Sequence, residues 1–210
     1  MESIALEQVL PPFLDDANGR GVWGGTFEFR RGCRYLVKGE SGCGKTSLLG
    51  YVCGIREGYS GRVLFDGRDA ATLSAAQWND VRGRQLSQLF QDLRLFAELS
   101  AVENVMVAAP HGFPSGRAAD MLERLGLGSR LGSKARCLSI GEQQRVAFAR
   151  MLVRDADFYL MDEPVSHVDD HNAAVMVRML SEVLDRTGAG LIATSIGRDF
   201  PIRYDEEVTL

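Results

Sequence analysis

One stretch limits what this chain can fold into more than any other. Residues 36–49 read "LVKGESGCGKTSLL", an apolar run that enters a glycine-rich turn and leaves it as a second apolar run. Gly39, Gly44, Lys45 and Thr46 fill the spacing G-x-x-x-x-G-K-[ST]. Glycines at those places let successive backbone N–H groups curl around an anion, and a helix starting near Lys45 adds the positive end of its dipole. The loop needs a strand to deliver it and a helix to receive it, and the flanking "RYLV" and "SLLGYVCGI" have those characters. The expectation is a phosphate held by Gly39, Glu40, Ser41, Gly42, Cys43, Gly44, Lys45, Thr46 and Ser47. Lys45 reaches the β- and γ-phosphates, the Thr46 hydroxyl is placed to ligate Mg²⁺, and Ser47 assists at the phosphates. Cys43 is read as a small residue turned away from the anion.

Strand-like runs lie at 4–9, 26–29, 35–37, 62–65, 86–90, 157–161, 191–194 and 207–210. Helical patterns separate many of them. Three helices are announced by an S-x-x-[EQ] capping box: Ser74 with Gln77, Ser100 with Glu103, and Ser139 with Glu142. After Asp169, the spacing of Ala173, Val177, Leu180 and Leu184 predicts a long amphipathic helix. Early strands joined by turns, then strands alternating with helices, predict a small antiparallel sheet beside a parallel α/β core. A helical insert is expected at about residues 74–155, most evident up to 131. With 210 residues, 45% hydrophobic and 25% charged, residues 1–210 suit a single domain.

A net charge of −4 gives no reason to expect a nucleic-acid partner. The start "MESIALEQVL" lacks the order of a secretory signal, and no apolar run approaches the roughly 20 residues that span a bilayer. A cytoplasmic chain is expected, with any membrane contact made through a partner. Cys33, Cys43, Cys53 and Cys137 form no C-x-x-C pair and are read as scattered reduced thiols.

The second chemical stretch is "DFYLMDEP", residues 157–164. An apolar strand delivers two adjacent acids at its end. Asp162 is placed for the Mg²⁺ shell, and Glu163 to orient and polarise an attacking water. Pro164 stops the strand. No asparagine sits in an N-K-x-D, which argues against guanine recognition.

Upstream, "CLSIGEQQRVAFARMLVRDADFYLMDEP" resembles the ATP-binding cassette (ABC) family. "LSIGEQQR" is similar to the family signature L-S-G-G-Q-Q-Q-R, with Ile140 and Glu142 as departures. Gln91 in "LFQDLRLF" resembles the Q-loop glutamine, whose amide reaches Mg²⁺ or the attacking water. "SHVD" resembles the D-loop S-A-L-D and contributes Asp169. The resemblance covers essentially the whole chain. It implies a P-loop NTPase core with parallel sheet, antiparallel β subdomain and helical insert. It also implies an ATPase that binds ATP and Mg²⁺ and pairs head to tail with a second cassette, most simply another copy. Ser139, Gly141 and Glu142 would then cap ATP held by the partner, Glu142 turning aside, and an integral membrane permease would be the coupled partner. The chain would sit in the cytoplasm, peripheral on the inner face of the cell membrane.

The adenine ring would stack on Phe13, which follows "LPP" where the family usually carries its ring; Trp23 is the other candidate. The family places a histidine after the last core strand, and that position falls on Ser195 in "LIATSIGRD". The only histidines are His111, His167 and His171, so Ser195 is the remaining donor expected at the γ-phosphate, and slow hydrolysis is implied. A permease-binding groove is expected beside Gln91, where Leu93, Leu95 and Phe96 flank Arg94. The chain stops near its last strand, so no regulatory domain is expected. It is similar to the group serving lipoprotein release, macrolide export and cell division, as a divergent branch. Two alternatives stand beside this: a soluble ABC ATPase such as an iron–sulfur assembly type, and a slow or degenerate ATPase.

Overall fold

The computed structural model describes residues 1–14 and 21–210. In chain order its elements begin with β1 (Ser3–Leu10), β2 (Thr26–Arg30), β3 (Arg34–Lys38) and α1 (Lys45–Val52). Next come β4 (Ser60–Phe65), β5 (Arg68–Asp69), α2 (Ala75–Asp80) and β6 (Leu86–Leu89). Helices α3 (Ala101–Met106), α4 (Ser115–Arg124) and α5 (Ile140–Leu152) follow. The chain closes with β7 (Phe158–Asp162), α6 (Asp170–Thr187), β8 (Gly190–Ser195) and β9 (Glu206–Thr209). Each predicted strand is present, with its ends shifted by one or two residues.

Two sheets form. One is antiparallel in the order β2-β1-β4-β5; the other is parallel in the order β6-β7-β8-β3-β9. The parallel sheet is covered on both faces, which is why its strands read as unbroken apolar runs. Along β7, Phe158 and Leu160 enter the core shared with α1 and the antiparallel sheet. Tyr159 and Met161 enter the core of α3 to α6. Each such side chain contributes roughly 1.5–3 kcal/mol by leaving water.

All three capping boxes form, each serine accepting from the N3 amide while the N3 side chain accepts from the serine amide. α6 is capped by Asp169 and stopped by Gly188 in the left-handed region. The stretch expected to be a helical insert is crossed by a sheet strand. A π-helical turn, Val81–Gln85, leads into β6, which pairs with β7 in register Leu86↔Phe158. The helices free of sheet strands, α3 to α5, therefore lie between β6 and β7.

Parallel pairing brings the strand ends to one edge. Asp162 stands opposite Thr194, and Lys38 opposite Ser195. The loop before α1, the turn after β7 and Gln91 just past β6 all open at that edge, where parallel α/β sheets take their ligands.

Candidate functional site

The edge holds a cavity of about 310 Å³ lined by Phe13, the loop residues Ser41 to Ser47 except Cys43, Gln91, Glu163 and Ile196. Gly44 initiates α1 at φ 103°, a left-handed conformation. A Cβ there would stand 3.0 Å from Trp23 and 3.3 Å from Phe13, so glycine is required twice over. Lys45 is buried, and its ammonium donates to the carbonyls of Gly39 and Glu40 at 2.7 Å each. Those carbonyls hold the charge over the loop mouth. Gly39, Glu40 and Cys43 thus support the loop from behind rather than lining the cavity. The Cys43 thiol lies 3.6 Å from the Lys45 ammonium and packs over Gly39, and Cys43 does not line the cavity. The Ser47 hydroxyl, on the cavity wall, accepts from Arg56 at 2.8 Å.

Opposite the loop, Thr46 donates its hydroxyl to Gln91 Oε1 at 3.3 Å, and Gln91 Nε2 donates to Glu163 Oε1 at 3.5 Å. Three distant segments meet in that chain. Glu163 sits at φ 49°, which for a residue with a Cβ costs about 1–3 kcal/mol and persists only if held. It is held at both peptide ends: its N–H donates to Thr194 Oγ1 and its carbonyl accepts from Gln144 Nε2 at 3.0 Å. Burial pushes the Glu163 carboxyl above its ordinary value and the Asp162 charge adds to this, while Lys45 and His167 oppose it. A carboxylate so tuned is suited to accept a proton.

Asp162 is only 2% exposed and lies behind the cavity wall. Its Oδ1 accepts from Thr194 Oγ1 at 2.6 Å. Phe13 is 51% exposed at the cavity rim, whereas Trp23 is 3% exposed and donates its indole N–H to the Cys43 carbonyl. Of the two rings, Phe13 alone offers a free face.

The expectation for Ser195 is corrected. Side chains alternate along a strand, and Thr194 points toward Asp162, so Ser195 points away from it. Ser195 is 3% exposed and its hydroxyl oxygen accepts from the Gly197 amide at 3.3 Å. Ile196, not Ser195, reaches the cavity wall.

Ser139, Gly141 and Glu142 lie at the N-terminus of α5, outside this cavity. Glu142 accepts from the Ser139 amide at 2.8 Å and pairs with Arg130 at 3.2 Å. Gly141 packs so tightly on the turn after β7 that a Cβ would stand 2.5 Å from the His167 carbonyl oxygen. Asp169 spends its carboxylate on capping α6, accepting from Asn172.

Two residues escape a reading of the sequence. Thr194 ties the two acids together. Gln144, buried on α5, holds the Glu163 carbonyl and accepts from the His167 amide at 3.1 Å. A polar residue on the buried face of an apolar helix was the available signal for Gln144; Thr194, in a β-branched strand, carried none. A larger cleft of about 830 Å³ lies between α4, α6 and the end of α5. It contains none of the expected residues, and Arg124 and Arg186 within it are paired to Glu182 and Asp155.

A family model described as "ABC transporter" matches residues 24–166. An ABC transporter ATP-binding protein of Mycobacterium tuberculosis is 35% identical over 188 residues, 87% of this chain and 57% of that protein. The lipoprotein-releasing system ATP-binding protein LolD of Syntrophotalea carbinolica is 39% identical over 165 residues, 76% of this chain and 73% of that protein. The chain thus spans little more than half of the mycobacterial relative. The dimeric structure of a bacterial ABC transporter cassette superposes at a TM-score of 0.81 with 22% identity, over 98% of this chain and 96% of that one, a likeness of fold. The matched region runs from just before β2 to the turn after the paired acids, well over half of the sequence, and on that ground the chain belongs to the ABC transporter family.

Proposed function

We propose that this chain binds ATP with Mg²⁺ between its own phosphate loop and the α5 end of a second cassette, hydrolyses it, and drives a membrane permease. The convergence of Lys45, Thr46, Gln91 and Glu163 on one cavity carries the reading. The names of its relatives as transporter ATP-binding proteins support it.

In this reading, the loop amides and Lys45 grip the phosphates, Lys45 exchanging its two carbonyl partners for phosphate oxygens. Phe13 stacks on the adenine. The donors around Thr46 are all oxygen and open to solvent: the Thr46 hydroxyl, Gln91 Oε1 and the Glu163 carboxylate, with Asp162 behind. Among the described residues no group of three or more His, Cys, Asp and Glu is gathered for a metal. Such a partial oxygen set suits a small hard cation that keeps waters and shares the phosphates. Thr46, Gln91 and Asp162 would hold it, and its contribution is to neutralise phosphate charge. Glu163 takes the proton of a water as its oxygen bonds to the terminal phosphorus and the bond to the ADP oxygen breaks. Gln91, hydrogen-bonded to Glu163, orients that water.

Ser139 and Gly141 lie outside their own cavity, so we assign them to the partner's nucleotide. No helix among the described residues is long and apolar enough to cross a membrane. We place the chain on the inner face of the cell membrane, held by its permease. The groove beside Gln91 is a cleft of about 290 Å³ whose walls include Ile55, Phe90, Arg94 and Arg150. Of the residues expected on that surface only Arg94 lines the cleft: Leu93 is buried in the core, Leu95 packs partly buried against it, and Phe96 is exposed outside the cleft.

The test is Glu163→Gln, which keeps the shape of the site and removes the base. ATP should stay bound and the chain should accumulate as a dimer by light scattering with Mg-ATP. A variant that remains monomeric with ATP demonstrably bound would overturn the two-cassette site.

A further inference from the structure

We propose that Arg150 is a positioning residue for Gln91, the link through which helix α5 sets how far that amide reaches into the cleft. The inference rests on the role given to Gln91 above. Arg150 lies near the C-terminal end of α5, and its guanidinium donates to the carbonyls of Leu93 and, at 2.6 Å, Arg94. Leu93 and Arg94 are consecutive residues with left-handed backbones, φ 56° and 46°. Residues with a Cβ stay there only where surrounding contacts hold them. A planar guanidinium with donors in a fixed fork can satisfy two converging carbonyls at once, and an ammonium cannot do so in the same geometry. The loop is closed on its other side by Arg94, whose amide donates to the Asp92 carbonyl and whose side chain lies 4.0 Å over the Phe90 ring. Gln91 is the residue of this knot that faces the cavity.

Its contacts there stand at the outer limit of hydrogen bonding, 3.3 Å to Thr46 and 3.5 Å to Glu163. A displacement of a fraction of an ångström makes or breaks them. The same helix, together with the turn that follows it, holds the strand before the loop. Arg154 donates to the carbonyls of Arg82, Gly83 and Leu86, and Ser87 donates to the Met151 carbonyl at 2.7 Å. β6 is therefore bracketed by α5 and the turn just after it, with Arg154 at the start of the strand and Arg150 past its end. Towards the other end of α5, Gln144 holds the Glu163 carbonyl. One rigid helix thus spaces the base from the amide, and its N-terminus is the end assigned to the partner's nucleotide. A shift of α5 when a partner engages that end is transmitted through Arg150 to Gln91.

The experiment uses the full chain with Arg150→Met and Arg150→Lys. Amide hydrogen exchange of residues 91–96 in the nucleotide-free protein should quicken about tenfold in Arg150→Met, with residues 140–149 unchanged. Steady-state ATP turnover should fall about tenfold, with the affinity for a fluorescent ATP analogue within about twofold of the parent. Arg150→Lys should recover part of both. Should Arg150→Met not fold, as judged by circular dichroism, Arg150→Lys carries both arms with smaller effects. In a Gln91→Ala background, Arg150→Met should cost less than about twofold more, because the two act as one unit. Unchanged exchange at 91–96, or losses that multiply in the double variant, would overturn the proposal. A parent without ATPase activity would remove the proposed function instead, and the exchange arm then decides the clamp alone.

Discussion

Replacing Thr194 by valine keeps the shape of a fully packed strand end and removes one hydroxyl. Thr194 is 1% exposed and its hydroxyl has two partners, Asp162 Oδ1 at 2.6 Å and the Glu163 amide at 3.3 Å. A hydrogen bond to a charged group is worth about 1.5–3 kcal/mol, and the longer backbone bond about 0.5–1.5 kcal/mol. The new methyl returns about 0.8 kcal/mol of burial. The net loss is about 1–4 kcal/mol, since water cannot replace the donor at a buried carboxylate. For a chain of this size each kcal/mol moves the melting temperature by about 2–4 °C, so Thr194→Val should melt about 2–16 °C below the parent. Thr194→Ser keeps the hydroxyl and gives up one methyl, about 1 kcal/mol, and should fall between the two. Calorimetry at neutral pH without nucleotide reads the order directly. Thr194→Val melting within about 1 °C of the parent would refute the argument that this hydroxyl ties the two acids together.

Phe13→Ala, at an exposed rim, should leave the melting temperature nearly unchanged. It should weaken ATP binding by about 1–3 kcal/mol, the worth of one aromatic–base stack. Equal losses for ATP and for inorganic triphosphate in titration would remove Phe13 from the adenine. Gly141→Ala places a Cβ 2.5 Å from the His167 carbonyl; the overpacking should cost about 1–3 kcal/mol in a thermal melt. Gly116→Ala, with nothing within 4 Å, is the control, and equal melts for the two would refute the packing role. Glu142 is held below its ordinary value of 4.5, chiefly by the Ser139 amide. A carboxylate lowered by folding stabilises above its unfolded pKa and loses that contribution as pH falls through the folded one. Glu142→Gln keeps the cap without the titration, so the parent should lose more stability than the variant from about pH 5 to pH 3. Parallel pH profiles would count against the carboxylate cap.

Much of this molecule is written locally. The glycine spacing of 39–44, the serine caps at 74, 100 and 139, and the apolar runs ending in Asp162 and Glu163 each depend on a few neighbouring residues, and all are present where the sequence puts them. Hydrogen-bond patterns within a turn and the periodicity of a strand or helix need no partner to be recognised. The site itself is assembled at longer range. Thr46 meets Gln91 across 45 residues and Asp162 meets Thr194 across 32. Those meetings depend on the strand order β6-β7-β8-β3-β9, which no local pattern encodes. The same order explains the corrected expectation: at the end of β8 the pleat sends Thr194 to the acids and Ser195 away from them. It also placed β6 at the edge of the parallel sheet, so that the expected helical stretch is divided. Burial settled which ring is free, leaving Phe13 at the rim and closing Trp23 against Gly44. Short-range chemistry is legible because the groups involved are neighbours in the chain; long-range chemistry waits on packing, because only the folded sheet makes them neighbours in space.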